Sequence, residues 1–154
     1  MVTGDDLRDV LRRHPSGVAV ATVDTGRERL GLTVATLVSL SFEPPLVGIA
    51  VSRQAALHEL LREAGGFAVS VLARGQEALA DHFARGVPPI ALWTGIATRE
   101  GARAPLLAGA TAWLECDLHA EHPTGDHTLF VGLVEHAMPG DAAEPLVRVG
   151  GAYA

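Results

Sequence analysis

The stretch from Gly31 to Val51 constrains the fold of this chain more than any other. It reads Gly31-Leu32-Thr33-Val34-Ala35-Thr36-Leu37-Val38-Ser39-Leu40-Ser41-Phe42-Glu43-Pro44-Pro45 and continues into the apolar run Leu46 to Val51. β-Branched and apolar residues alternate with small hydroxyl residues, which is the period of a half-buried strand. The Pro-Pro pair is expected to interrupt pairing, and a short buried strand follows it. The pattern therefore predicts two strands around a hydroxyl-rich corner, whose small side chains would let a flat or phosphorylated ligand reach the backbone.

The rest of the chain keeps to short elements. Thr3 precedes Gly4-Asp5-Asp6-Leu7, with Leu7, Val10 and Leu11 at helical spacing and acidic residues in the first turn. This predicts a capped helix ending near His14-Pro15. Val18 to Val23 reads as a strand, and Asp24-Thr25-Gly26 as the hairpin turn into a second strand from Glu28 to Val34. Ala55 to Ala64 carries Leu57, Leu60 and Leu61 at helical period and stops at Gly65-Gly66. Phe67 to Leu72 returns as a strand, and Gln76 to Ala84 forms a third helix ended by Gly86 and followed by a Pro88-Pro89 loop. Two long strands, Ala110 to His122 and Asp126 to Met138, are expected on either side of Pro123-Thr124-Gly125. Six or seven strands broken by short helices predict a mainly β chain, folded as a partly closed antiparallel barrel that hides its edges.

Length and composition narrow the class. At 154 residues the chain suits one domain, 1–154, able to bury roughly two-thirds of its unfolded surface without a staple. Its single cysteine, Cys116, allows no internal disulfide, and no basic-plus-apolar leader opens the sequence. A reduced, cytoplasmic setting is the expectation. All twelve basic residues are arginine, a codon bias that points to a GC-rich bacterial genome. The formal charge of −6 argues against nucleic acid or an anionic membrane as partner, since both demand a basic face. Arg12-Arg13 reads as a solvated helix end.

Cys116 lies in the alternating run Ala112 to Leu118, which predicts a buried packing role, with Glu115 and Asp117 on the solvent face. No Ser-His-Asp arrangement, Walker loop or dinucleotide glycine motif occurs. His58 and His82 on helices and His119 and His122 on one strand make no metal-ligand spacing, so no metal is expected. Trp93 and Trp113 read as packing or interface residues. Gly125-Asp126-His127 is different, because a histidine at a strand end beside an acid can be oriented and tuned near neutral pH. Alternatively, Asp126 stabilises the turn and His127 packs on a neighbouring strand.

Arg13 to Val20, Gly31 to Val51, Phe67 to Leu72 and Gly125 to Gly132, taken in that order and spacing, resemble the flavin reductase-like family across residues 7 to about 150. The resemblance implies an FMN-binding split β-barrel, antiparallel and Greek-key-like, and an NAD(P)H:flavin oxidoreductase that supplies reduced flavin to a partner monooxygenase. It implies FMN or FAD as the flavin, NADH or NADPH as co-substrate, and a homodimer. By the same resemblance His127 with Asp126 would place the nicotinamide. Thr33, Val34, Ala35, Thr36, Ser39, Ser41, Ser52, Arg53 and Ser70 would border the flavin, with Tyr153 of the tail approaching it. Arg53 could equally be an exposed helix-start residue.

The chain departs from the family pattern where a Ser-x-Thr pair usually meets the flavin phosphate, since Ala55-Ala56-Leu57 stands there. Each lost hydrogen bond to a charged group would forfeit on the order of 1.5–3 kcal/mol. A second reading therefore keeps the fold but drops the redox role, leaving a biosynthetic enzyme that cyclises or rearranges a small metabolite in the emptied pocket. A third is a non-catalytic flavin-binding protein.

Overall fold

A computed structural model describes residues 1–85 and 89–154. Among the described residues the helices are α1 (Gly4–Leu11), α2 (Ala56–Ala64), α3 (Glu77–Ala84) and α4 (Pro89–Leu92). The first six strands are β1 (Ser16–Gly17), β2 (Ala19–Asp24), β3 (Arg29–Val34), β4 (Val38–Phe42), β5 (Pro45–Ser52) and β6 (Gly66–Val71). The remainder are β7 (Thr98–Arg99), β8 (Leu106–Leu107), β9 (Ala112–Thr124), β10 (His127–Pro139), β11 (Val147–Val149) and β12 (Ala152–Tyr153). The expected Gly86 stop and Pro88 lie outside the described residues, while Pro89 begins α4.

Seven strands form one antiparallel sheet in the order β3-β2-β6-β9-β10-β5-β4. The two ends of that order, β3 and β4, are joined in sequence by residues 35–37 but not paired, so the barrel is split there. The corner read from the sequence is this crossing. Thr36 fixes it to β5, its hydroxyl donating to Ala50 O at 3.1 Å and accepting from Ala50 N at 3.0 Å. β1, β11 and β12 form a separate small sheet in the order β1-β11-β12, with Ser16 opposite Arg148.

α2 packs against β2, β3, β5 and β6 and drives Leu57 and Leu61 into a core with Val23, Ile49, Val51, Phe67, Cys116 and Phe130. Gly65 stops the helix in the left-handed region at φ 72°, a conformation in which a Cβ would be strained. Burial pushes the Cys116 thiol up to about 12, which keeps it protonated and suits a packing role.

Four features differ from the sequence reading. α1 has the expected Thr3 cap, with the Asp6 side chain returning to Thr3 N, but it ends at Leu11 rather than near His14. Of the Pro-Pro pair, Pro44 lies in the turn as expected, whereas Pro45 pairs opposite Phe42 as the first residue of β5, where a missing N–H is tolerated. Pro123 and Thr124 are the last residues of β9, leaving a two-residue turn at Gly125-Asp126. Glu115 is buried, at 4% exposure, because Arg103 N donates to its Oε1 at 2.9 Å. A loop over residues 100–105 covers what alternation alone assigns to solvent.

Gly132 sits where β10 shifts register, and a Cβ there would come within 2.7 Å of Cys116 Cβ and the Phe67 ring. Gly132→Ala is expected to lower the unfolding free energy by about 1–3 kcal/mol by overpacking this contact. Urea denaturation of the two proteins, compared at equal m-value, measures it.

Candidate functional site

The long β9/β10 hairpin places its turn residues at the mouth of the barrel. Gly125 occupies the first central position with φ 81°, the conformation a tight two-residue hairpin demands and glycine alone adopts freely. Arg53 holds the turn from the β5 side: its N donates to Asp126 O at 2.9 Å and its guanidinium to Gly125 O at 3.4 Å. His127 begins β10 directly opposite Ser52 of β5.

Asp126 Oδ1 lies 2.6 Å from His127 Nδ1. A carboxylate can only accept, so Nδ1 carries the proton and Nε2 is left to meet a ligand. That hydrogen bond holds the Asp126 carboxyl below the usual aspartate range, so the acid stays ionised and keeps the ring oriented at lower pH than an ordinary aspartate would. His127 is 43% exposed and opens onto a cleft of about 740 Å³. The walls are the α1 face carrying Arg8 and Arg12, Ala35 of the corner, the Asp126-His127 turn, and Arg148 to Gly151 of the tail.

The structure brings some of the sequence-assigned residues together and separates others. Ala35 and Thr36 are exposed at the corner, Ser52 and Arg53 lead into α2, and Asp126 and His127 complete a contiguous surface. Ser52 Oγ accepts from Gln54 N at 3.3 Å and keeps its own proton to donate. Ser39 and Ser41 lie on β4, the edge strand beside β5. Val34 is buried in the core at 5% exposure, so only its backbone is near the corner. Thr33 turns away, its hydroxyl donating to Ala80 O of α3 at 2.6 Å. Ser70 is wholly buried and accepts from Leu107 N at 3.0 Å, which spends its hydroxyl on the fold. Tyr153 donates to Asp81 Oδ1 at 2.7 Å and packs in the cluster around α3. It does not line the cleft.

At the head of α2, Ala55 is the N-cap and no side chain caps the helix. The first-turn N–H groups of Ala56 and Leu57 consequently have no side-chain cap, while His58 N donates to Ala55 O at 3.0 Å. Leu57 is a core residue at 1% exposure, so it neither lines the cleft nor makes it apolar.

Sequence reasoning set His58 aside, yet it braces the site from behind. The ring is 3% exposed, stands edge-on to Phe130 at 5.1 Å, and bridges Glu59 Oε1 (3.0 Å from Nδ1) and Thr128 Oγ1 (2.7 Å from Nε2). Because Glu59 accepts at Nδ1, the neutral ring accepts the Thr128 hydroxyl proton at Nε2. The same bond to His58 holds the Glu59 carboxyl below the ordinary glutamate range. α2 is thereby tied to the residue next to His127. The signal was faint: a histidine at the buried period of a helix, beside Leu57 and Leu61.

Comparisons with known proteins agree on one family. The model of the flavin reductase like domain matches residues 11–154. The reductase component of 4-hydroxyphenylacetate 3-monooxygenase from Thermus thermophilus is 46% identical over 141 residues, covering 92% of this chain and 89% of that protein. An NADH-dependent FAD reductase from Streptomyces globisporus is 41% identical over 154 residues, covering 96% of this chain and 82% of that one. The solved structure of the NADH:FAD oxidoreductase from that organism, in complex with NAD and FAD fragments, superposes with a TM-score of 0.92 at 40% identity, covering 100% of this chain and 94% of the other.

Replacing His58 with alanine strands the buried Thr128 hydroxyl and empties the space against Phe130. The variant is expected to lose about 2–4 kcal/mol of stability in chemical denaturation. Glu59→Gln, at an exposed partner, is expected to lose under about 1 kcal/mol.

Proposed function

This chain belongs to the flavin reductase-like domain family, and from that membership we propose that it is an NAD(P)H-dependent flavin oxidoreductase, reducing FMN or FAD and releasing the product to a partner monooxygenase. The observation that carries the reading is the Asp126–His127 pair, 2.6 Å apart at a rigid hairpin turn, open to the cleft and contiguous with Arg53 and the residue 35–37 corner.

The residues present fit a flavin. An α-helix N-terminus without a side-chain cap, preceded by an arginine, is a ready anion site, and both occur at α2. The α2 N–H groups, Arg53 and Ser52 would hold the phosphate, and the exposed backbone at Ala35 and Thr36 would border the ring system. The redox chemistry is the flavin's own, namely acceptance of a hydride from a dihydronicotinamide. The protein's part is placement. His127 keeps its proton on Nδ1 through Asp126 and presents Nε2 as acceptor to a nicotinamide carboxamide N–H. Leu57, buried in the core, removes the main support for an apolar pocket built for cofactor-free chemistry.

A homodimer completes the proposal. Val38, Leu40 and Leu129 cover the face of Gly48, where a Cβ would crowd all three at 3.0–3.1 Å, and Val38, Leu40 and Phe42 are exposed at 42%, 45% and 90%. β4 is also an edge strand. A second copy of the chain would cover both liabilities, the apolar face and the unpaired edge. Among the described residues no helix is long and apolar enough to cross a membrane, and a need for reduced nicotinamide supports a bacterial cytoplasmic setting.

Flavin titration followed by anaerobic addition of NADH or NADPH tests the activity. Loss of the oxidised-flavin absorbance is expected with wild type, and His127→Ala is expected to reduce kcat/KM for the nicotinamide by about ten- to a hundredfold while flavin affinity holds. No bleaching by wild type with either flavin and either donor would sink the reading. For the dimer, Phe42→Asp is expected to shift light-scattering mass from two chains to one, and an unchanged mass refutes the β4 interface.

A further inference from the structure

We propose that Arg8, Arg12 and Arg148 form a phosphate-recognising rim on the cleft, taking the pyrophosphate and adenylate half of the reduced nicotinamide dinucleotide whose nicotinamide meets His127. The inference rests on the reductase reading and assigns the dinucleotide's anionic arm to residues other than those assigned to the flavin.

Three of the chain's twelve arginines converge on this one cleft in a protein of net charge −6. They come from opposite ends of the sequence. Arg8 lies on α1, Arg12 is its C-cap one turn further on, and Arg148 lies on β11. Their spacing is built into the fold, since Gly150 N donates to Arg12 O at 2.7 Å and clamps the tail turn to the end of α1. Ser16 pairs with Arg148 in register, docking β11 on the same segment.

Complementing the helix dipole explains Arg8 and Arg12 taken alone. It does not explain Arg148, which belongs to a separate strand. The α1 terminus presents carbonyl oxygens, which repel an anion, so guanidinium groups must supply the attraction at this end of the cleft. Arg148 sits near the Tyr153 ring, its Cζ 5.6 Å from the centroid, and it is exposed to solvent on the cleft, so a fork of five N–H donors has more than the tyrosine to serve. Arg8 is held by Asp5 at 2.7 Å yet remains 68% exposed. A volume of about 740 Å³ lies within the range that small-molecule and cofactor sites occupy. Asp126 keeps its negative charge while it accepts from His127, so the lining sets three guanidinium groups against one carboxylate.

Steady-state kinetics with three hydride donors separates the possibilities: NADH, NADPH and N-benzyl-dihydronicotinamide, which carries no phosphate. For the Arg12→Gln/Arg148→Gln double variant, KM for NADH is expected to rise about tenfold and for NADPH at least as much, with flattened salt dependence. KM for the benzyl donor and for FMN is expected to move less than twofold. An unmoved KM for NADH overturns the proposal. So does an equal rise for the benzyl donor, which would mean that the cleft had merely been distorted. A rise for FMN without one for riboflavin would assign the arginines to the flavin phosphate instead and also overturns it. Turnover of none of the three donors by wild type is the separate result that removes the reductase reading, and this inference with it.

Discussion

The turn at Gly125-Asp126 is the constraint on which the site depends. β9 and β10 are 13 residues each, and side chains alternate faces along them, so a slip of one residue would exchange the buried and exposed sets. The register that sends Thr128 and Phe130 into the barrel, one against His58 and the other into the core, sends His127 to the opposite face. A left-handed glycine permits the tight reversal, and Arg53 closes it from β5 with two hydrogen bonds. The orientation of one histidine is thus a consequence of core packing several residues away. The 2.6 Å bond from Asp126 adjusts a ring whose side of the sheet is already decided.

Much of this fold was legible in the sequence because it rests on local rules. Alternation located the strands, Gly65 and Gly26 marked an αL helix stop and a hairpin turn, and Thr3 with Asp6 announced the start of α1. What failed was the reading of positions governed by distant contacts. Glu115 has the period of a solvent-facing residue, and only a loop arriving from residues 100–105 buries it. Pro123 is a turn former by type but is tolerated at the last paired positions of β9, opposite Thr128. The apolar stripe Leu7, Val10 and Leu11 predicts a helix correctly but not its setting, for all three side chains are exposed.

The candidate site divides along the same line. Asp126, His127 and Arg53 could be named because they adjoin a turn and a helix start that the sequence marks. Thr33 and Ser70 occupy the strands expected of them, yet their hydroxyls are consumed by Ala80 O and Leu107 N. Resemblance transfers a position; it does not transfer which bond a side chain makes there. Arg8 and Arg148 are separated by most of the chain, and nothing in either neighbourhood signals the other. Their meeting depends on the Gly150–Arg12 hydrogen bond, a tertiary fact.

The uncapped head of α2 bears on how tightly a reductase should hold its flavin. Hydroxyls at positions 55 and 57 would each have added a charge-assisted bond worth on the order of 1.5–3 kcal/mol, and two of them would deepen binding a hundredfold or more. Here Ala55 supplies none, and Leu57 is committed to the core. On the proposed reading the phosphate's share would fall to backbone N–H groups, Ser52 and Arg53, an arrangement that would recognise charge without trapping it. For an enzyme whose flavin must depart in reduced form to another protein, tight retention would make product release slow. The missing hydroxyls therefore fit a flavin handled as a passing substrate, and in the proposed function the rigid β9/β10 turn, braced by His58, would place the hydride donor.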